Sequence, residues 1–326
     1  MIGHINRIAL LSCLLLAPHA ALAREVNPEY LQVLPSTLTV QPYFSIEGGY
    51  LSVYGSGSMP IEYDSAQYHK IGLSVSWKGL SAGYGMDMQN GPWTKDESRY
   101  GKSRCFDFFT HYYGGKWGFD FSLSRNRGFY ISNADDLGIV GDDGVYPQYP
   151  DMQSLFMSVN VIRVLNPDEF SLDAPFDQNE LQLRGAGSWL IIYSAYYGSI
   201  WNNGDIIPAR IADKYESLRG LSEVDFEGVN VAPGWTHTWV PHRNYFISLL
   251  VSLGLGGQRH VMRINAGDSE HYVLAANASG RLALGWAGER LSIGIYSIAE
   301  TFSTPKQNGS LSTILNQNRL YASWKF

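Results

Sequence analysis

Short segments of alternating apolar and polar residues recur along most of the chain. In "HKIGLSVSW" (His69–Trp77) every second residue from Ile71 is apolar, and "WGFDFSLSRN" (Trp117–Asn126) shows the same alternation. A period of two residues is typical of a β-strand whose two faces meet different surroundings. The predicted strands are Tyr43–Tyr54, His69–Trp77, Leu80–Met88, Arg104–Tyr113, Trp117–Asn126, Ser154–Leu165, Gly187–Tyr197, Phe226–Val240, Asn244–Gly256, His271–Trp286, Arg290–Phe302 and Asn318–Phe326. Several have the roughly 9–11 residues that a tilted strand needs to cross a bilayer.

The connections between these strands fall into two classes. The tight turns carry glycine or proline and are Lys78–Gly79, Gly114–Lys116, Pro241–Arg243 and Ala287–Glu289. The long polar links are 55–68, 89–103, 127–153, 198–225, 257–270 and 303–317. Tight turns at one end and long loops at the other are typical of a transmembrane antiparallel β-barrel. We therefore predict an all-β barrel of twelve strands with one short helix in an outer loop, and with both chain ends on the side of the tight turns.

The 166–186 link breaks this rhythm, because it is long where a tight turn is expected. It is rich in Phe and Leu, which is unusual for a solvated turn. Two interpretations remain open: the link folds into the lumen as a partial plug, or it extends the two strands that flank it. The 205–219 stretch predicts a helix in the longest outer loop, where it packs over the barrel mouth or acts as a lid.

Composition favours a barrel over the alternative of a soluble periplasmic β-sandwich that binds a ligand. Aromatic residues make up 13% of the chain and glycines number 34, yet no long apolar helix follows the N-terminal segment. At the C-terminus, alternate positions carry Leu320, Trp324 and Phe326. This pattern resembles the signal that the bacterial barrel-assembly machinery reads, and in a closed barrel the last strand must pair with the first.

The N-terminus predicts export. Arg7 precedes an apolar run over residues 8–17, and Ala21-Leu22-Ala23 forms a cleavage motif, so cleavage is expected after Ala23. A membrane anchor and a lipoprotein cut before Cys13 are the alternatives. The predicted division is a signal peptide at 1–23, a periplasmic lead at 24–42 and a barrel at 43–326 in the bacterial outer membrane.

Charge and cysteine content restrict the chemistry. The net charge is -6, or -7 once Arg7 leaves with the signal peptide, and no basic run is present. Such a chain is a poor partner for nucleic acid. Cys105 stands alone in the mature chain, so it has no partner for an intrachain disulfide. The carboxylates of Asp136–Asp151 lack the ladder of a calcium loop, and the sequence indicates neither a metal site nor a cofactor.

Five sequence segments together resemble one protein family. They are "KIGLSVSWKGLSAGYG", "DFFTHYYGGKWGFDFSLSRNRGFYIS", "YPDM", "LRGAGSWLIIYSAYYGSI" and "NYFISLLVSLGLGG", in this order between about Ile71 and Phe326. Together they resemble the family known as domain of unknown function 4421, whose members are exported bacterial proteins taken to be outer-membrane barrels. The resemblance implies location and architecture. It assigns no catalytic residue, because the family has no established reaction.

Polar residues on one face of two adjacent strands form the first candidate site. Strand alternation turns Asp107, His111, Asp120 and Ser122 toward the lumen, with Asp87 on the preceding strand. A Ser/His/Asp set suits nucleophilic hydrolysis, and would make the protein a lipid-processing hydrolase. The alternative interpretation is structural: barrel lumens are polar, and charged residues there pair across strands without any catalytic role.

Arginines form the second candidate site. Arg163 and Arg184, with Arg125 and Arg127 near the outer rim, are candidates for a constriction that selects anions. In the rival interpretation the rim arginines pair with carboxylates of the next loop. The predicted function is a structural or passive pore-type role, which is favoured over an enzyme. The expected partners are outer-membrane lipid and the barrel-assembly machinery.

Overall fold

The segments of period two form antiparallel strands in the computed structural model, which describes residues 26–35, 38–55, 58–66, 69–88, 94–265, 267–303 and 311–326. The strands are β1 Leu31–Val33, β2 Leu38–Val53, β3 Ile61–Asp64, β4 His69–Trp77, β5 Leu80–Asp87, β6 Arg104–Tyr113, β7 Trp117–Ile131, β8 Gln148–Val164, β9 Glu180–Gln182, β10 Ala186–Trp201, β11 Glu223–His242, β12 Tyr245–Ile264, β13 Gly267–Ala287, β14 Leu291–Ser303 and β15 Leu311–Lys325. The helical segments among the described residues are α1 Glu97–Tyr100, α2 Ala134–Leu137, α3 Asp173–Phe176 and the 3-10 helix Ala209–Leu218. Within these ranges, no helix has the length and apolar character needed to cross a membrane.

Twelve strands form one closed antiparallel wall, which confirms the predicted strand number. They are β2, β4, β5, β6, β7, β8, β10, β11, β12, β13, β14 and β15. The wall closes where β15 pairs with β2, from Leu311 opposite Val53 to Lys325 opposite Thr39. The first wall strand begins at Leu38, earlier than the barrel boundary predicted at residue 43.

The short strand β3 completes the wall at one end. β4, β5 and β6 are shorter than β2 and β7. Above them β3 pairs with β2 through Ile61 opposite Val53, and with β7 through Tyr63 opposite Ile131. The backbone groups of these β2 and β7 ends are thereby paired, as buried backbone groups must be.

The two ends of the barrel differ as the sequence predicts. At the end that holds Leu38 and Lys325, called here the turn end, the wall strands join through the tight turns 78–79, 114–116, 243–244 and 288–290. Lys78 and Asn244 take positive φ angles of 50° and 64° in these turns. The other end, called the loop end, carries the longer links. The prediction of a long link at 257–270 is wrong, because β12 continues to Ile264 and β13 begins at Gly267.

The outer surface of the wall carries an apolar belt. On β12 the outward side chains are apolar from Tyr245 to Leu255, with Leu253 72% exposed. Beyond this belt, Arg259 bonds to Glu227 at 3.0 Å and to Glu270 at 2.9 Å across neighbouring strands. Apolar positions suit lipid and charged positions suit water, so β11–β13 extend past the hydrocarbon at the loop end.

The 166–186 link folds into the lumen at the turn end, and we call it the plug. Its apolar side chains Phe170, Leu172, Phe176 and Leu181 are buried in one cluster with inward side chains of the wall. Within the plug, β9 pairs with β1 of the N-terminal segment. The plug interpretation of this link is therefore the one that the structure supports.

A second apolar cluster fills the loop end, and we call residues 202–222 with their neighbours in 129–146 the cap. Ile211, Tyr215 and Leu218 of the 3-10 helix are buried against the wall. Tyr63 Oη donates a hydrogen bond of 2.6 Å to the carbonyl of Ile206. The predicted 205–219 helix is thus shorter, of the 3-10 type and broken at Tyr215, whose φ and ψ of -128° and 42° are non-helical.

Substitution of Val251 by Arg tests the position of the apolar belt. Val251 is outward within the belt, so we expect Val251→Arg to lower the free energy of unfolding by about 2–4 kcal/mol. Val261→Arg, on the same strand beyond the belt, should lower it by only about 0–1 kcal/mol. Urea titration in lipid vesicles measures both values, and equal losses would contradict the assigned belt.

Truncation of Phe170 tests the packing of the plug. Phe170 is fully buried whereas Leu183 of the same segment is 40% exposed. We expect Phe170→Ala to expose the plug to limited proteolysis while the wall stays intact, because removing a buried aromatic side chain costs about 3–5 kcal/mol. Leu183→Ala is the matched control and should leave the cleavage rate unchanged. Equal protection of both variants would show that the plug is not held by this packing.

Candidate functional site

A cavity of about 210 Å³ lies in the lumen between the plug and the cap, and we call it the chamber. Inward side chains of β7 and β8 are small along one side, among them Ser122, Ser124 and Ser158, which leaves the space unfilled. Four carboxylates and three fixed cations line it: Glu47, Asp107, Asp120, Glu300, Lys70, Arg281 and Arg319. The chamber is therefore both buried and highly charged.

The first ionic cluster is centred on Lys70 of β4. Its Nζ lies 2.7 Å from Glu47 Oε2 on β2 and also contacts the carboxylate of Asp107 on β6. Glu47 Oε1 accepts two further hydrogen bonds, from Ser45 Oγ at 2.9 Å and from Gln317 Nε2 at 2.5 Å. The carboxylate of Glu47 is thus surrounded by donors.

The second ionic cluster crosses the lumen. Arg281 of β13 donates from Nη2 to Asp120 Oδ2 of β7 at 2.8 Å and from Nη1 to Tyr113 Oη at 3.2 Å. Tyr113 Oη in turn donates to Asp120 Oδ1 at 2.6 Å, and Glu300 lies 3.8 Å from Arg281. Because β7 and β13 are not neighbours in the wall, this cluster ties opposite sides of the barrel together.

Arg319 of β15 lies among three aromatic rings. Its guanidinium carbon is 3.9 Å from the ring centroid of Tyr43, 4.3 Å from that of Phe109 and 5.1 Å from that of Tyr296. Glycines in the adjacent strands allow this arrangement. A Cβ atom at Gly72 would overlap the ring of Tyr43, and one at Gly83 would overlap the ring of Phe109.

The plug is joined to the wall by polar contacts. His111 Nε2 of β6 contacts Asp177 Oδ1. Gln178 Nε2 donates to Tyr321 Oη at 3.1 Å, and Ser323 Oγ donates to Gln178 Oε1 at 2.8 Å. Next along the plug, Asn179 Oδ1 accepts from Thr39 Oγ1 at 3.0 Å. Three consecutive plug residues therefore bind three different parts of the wall.

Asp173 supports this part of the plug from within. Its Oδ1 accepts hydrogen bonds from the backbone amides of Asn179 at 2.6 Å and Glu180 at 2.9 Å. Burial, together with the nearby carboxylates of Asp177 and Glu180, raises the pKa of the Asp173 carboxyl well above its usual range. The acidic plug residues are thus packed close together in a buried turn.

The predicted Ser/His/Asp set faces the lumen but does not assemble into a triad. Asp107, His111, Asp120 and Ser122 all line the chamber. However, His111 Nε2 contacts Asp177 of the plug, and Ser122 Oγ forms its hydrogen bond of 2.7 Å with Ser158 Oγ. The described residues thus give Ser122 no histidine base. Asp87 also points inward, where its Oδ2 accepts from the backbone amide of Cys105 at 2.6 Å.

The predicted arginine constriction is not formed. Arg163 alternates with the buried residues Ile162 and Val164, so it points outward, with its guanidinium carbon 4.8 Å from the ring centroid of Trp117. Arg184 is exposed and pairs with Glu29 at 2.9 Å outside the lumen. The expectation that these two arginines line the lumen is therefore corrected. At the loop end, Arg125 bonds to Gln153 and Arg127 to Asp151, and both arginines are exposed.

Sequence reasoning missed all three fixed cations of the chamber, although a signal for them was present. Lys70, Arg281 and Arg319 each precede an apolar residue that faces outward, namely Ile71, Leu282 and Leu320. Alternation alone therefore turns all three cations inward. At the C-terminus, Leu320, Trp324 and Phe326 share the outward face as expected, and their role as an assembly signal stays a prediction.

Comparison with solved structures finds barrels of bacterial outer membranes. The outer-membrane protease OmpT from Escherichia coli is 9% identical, with 90% of this chain and 97% of that chain covered and a TM-score of 0.37. The beta domain of the Bordetella autotransporter BrkA is 12% identical over 88% and 100% of the two chains, with a TM-score of 0.40. The Pseudomonas putida toluene transporter TodX is 9% identical over 89% of each chain, with a TM-score of 0.30.

Comparison with curated protein sequences gives no match. One family model, described as a domain of unknown function, matches residues 28–326. This range includes β1, the plug, the cap and the whole wall. The chain therefore belongs to the DUF4421 family.

Proposed function

We propose that this protein is an outer-membrane barrel that acts as a gated passage for a small solute. In single-chain bacterial barrels the short turns face the periplasm, which assigns the turn end and the plug to the periplasmic side. The proposed resting state is closed at both ends, by the plug and by the cap. The expected export signal and the outward apolar belt support this location.

The chamber between two closures is the observation that carries the proposal. A permanently open pore needs a continuous lumen, whereas the plug and the cap each bury an apolar cluster inside the wall. Ion pairs such as Arg281 with Asp120 have a structural role in the wall, but the space left unfilled beside them adds no stability to a purely structural barrel. A charged chamber between two obstructed ends instead suits a solute that passes when one of these ends opens.

The contacts of the plug suit reversible opening. The polar contacts that Asp177, Gln178 and Asn179 make with the wall come from one short turn, so a single displacement of that turn breaks them together. The hydrolase alternative has weaker support, because Ser122 is paired with Ser158 and not with His111.

The thiol of Cys105 offers a built-in reporter of opening. Cys105 lines the chamber. We expect a small methanethiosulfonate reagent to label native wild-type protein slowly and Asp177→Ala about 5–30 times faster, because loss of one or two kcal/mol of plug docking raises the open fraction by that factor. Mass spectrometry of protein folded in lipid vesicles measures the rate.

Asp168→Ala is the matched control, since Asp168 is an exposed carboxylate in the same plug. It should label at the wild-type rate. Planar-bilayer recording should show rare openings for wild type and more frequent openings for Asp177→Ala. Equal labelling rates for all three proteins, or labelling only after denaturation, would refute the gated passage.

A further inference from the structure

The guanidinium of Arg319 is a buried charge without a matching hydrogen-bond acceptor. Arg319 is only 4% exposed, and among the described residues its guanidinium has no partner within hydrogen-bond distance. Its Nε is buried and unpaired. A guanidinium carries five N–H donors and keeps its charge in proteins, so it cannot lower the cost of burial by losing a proton. The aromatic rings of Tyr43, Phe109 and Tyr296 attract the cation but accept no conventional hydrogen bonds.

The neighbouring carboxylate does not complete this site. Glu47 is the nearest acid, and its Oε1 lies 3.9 Å from Arg319 Nη2, beyond hydrogen-bond distance. That carboxylate already accepts from Lys70, Ser45 and Gln317. The other three acids of the chamber lie next to other cations: Asp107 contacts Lys70, Asp120 bonds to Arg281, and Glu300 lies 3.8 Å from Arg281. Arg319 is therefore the cation that remains available to a ligand.

We propose that the chamber binds a small monocarboxylate, with the carboxylate on Arg319 and an apolar or aromatic body against the surrounding rings. The planar guanidinium matches a carboxylate in a bidentate geometry, and the three rings fix its orientation in advance. Phe109, Phe176, Tyr296 and Ile298 supply the apolar side of the same cavity. The ligand thus meets one charged wall and one apolar wall.

Cavity size limits the length of this ligand. A protein cavity of about 150 Å³ is known to hold benzene, so about 210 Å³ suits a molecule of the size of benzoate or hexanoate. A long-chain fatty acid from the membrane exceeds this volume. This inference rests on the proposed function, because it names the solute that the passage carries. Binding of that solute to the chamber is measurable without any transport.

The test uses mature full-length protein refolded into detergent micelles in the presence of each probe, so that slow entry into a closed chamber does not hide binding. Saturation-transfer NMR and calorimetry then compare benzoate and hexanoate with benzyl alcohol, benzylamine and palmitate. We expect saturable binding of benzoate and hexanoate and at least tenfold weaker binding of the other three. Benzylamine is the informative counter-probe, because it has the ring of benzoate but a positive charge. The chamber carries four carboxylates and three fixed cations, so it would favour benzylamine if Arg319 did not bind the anion.

Substitution of Arg319 localises the binding. Loss of hydrogen bonds to a charged group should weaken benzoate binding roughly 10- to 100-fold in Arg319→Met. Arg163→Met removes the same charge from the outward face and should bind benzoate like wild type. Heat-modifiable migration on gels shows that each variant is folded.

Three results would overturn the proposed site. They are the absence of saturable benzoate binding by wild type, benzyl alcohol, benzylamine or palmitate binding at least as tightly as benzoate, and unchanged benzoate affinity in folded Arg319→Met. These results are distinguishable from failure of the gated passage. If benzoate binds through Arg319 but Asp177→Ala does not change Cys105 labelling, the site stands and the plug is not a gate.

Discussion

Backbone hydrogen bonding in a medium without water is the constraint on which this structure depends. In the hydrocarbon layer every unpaired N–H or C=O group costs several kcal/mol, so a sheet that spans it must have no free edge. The pairing of β15 with β2 meets this requirement from Leu311 to Lys325, with one interruption at Ala322 and Ser323. At the loop end, β3 bridges β2 and β7 above the three short strands. Backbone hydrogen bonding is therefore the first reason that the wall is closed.

Closure of the wall creates an interior that the side chains must then fill. Small residues on β7 and β8 leave room, whereas the plug and the cap occupy the two ends with apolar side chains. Between them, ion pairs such as Arg281 with Asp120 span the lumen and fix the distance between opposite walls. Charge is tolerated there because most of it is paired. Arg319 stands apart, since its partners are rings and not acceptors.

The wall was the most predictable part of the protein. Lipid outside and a polar lumen inside impose a strict period of two, so the strands, their faces and the tight turns follow from the sequence. Alternation also placed Asp107 and Asp120 in the lumen. The 257–270 segment was misread as a loop, because its outward positions change from apolar residues to Arg259 and Glu270 once the strand leaves the hydrocarbon, although the strand itself continues.

The contents of the lumen were less predictable, for a physical reason. Which inward residues meet depends on the cross-section of the barrel, and no local pattern reveals that Arg281 lies opposite Asp120. The plug has no regular period, because its side chains pack on many strands at once. The outward position of Arg163 was hidden for the same reason, because its apolar neighbours Ile162 and Val164 are buried in the cluster with the plug and do not face lipid.

The attachment of the plug to the wall sets how far it is able to travel. It enters the lumen directly after β8 and leaves it at the start of β10, and these two strands are neighbours in the sheet. Both of its ends are therefore anchored at the same point of the rim, like a hinged flap. In the proposed opening the plug would therefore move aside without diffusing away, and its effective concentration for closing would be set by its tether and not by how much protein the membrane holds.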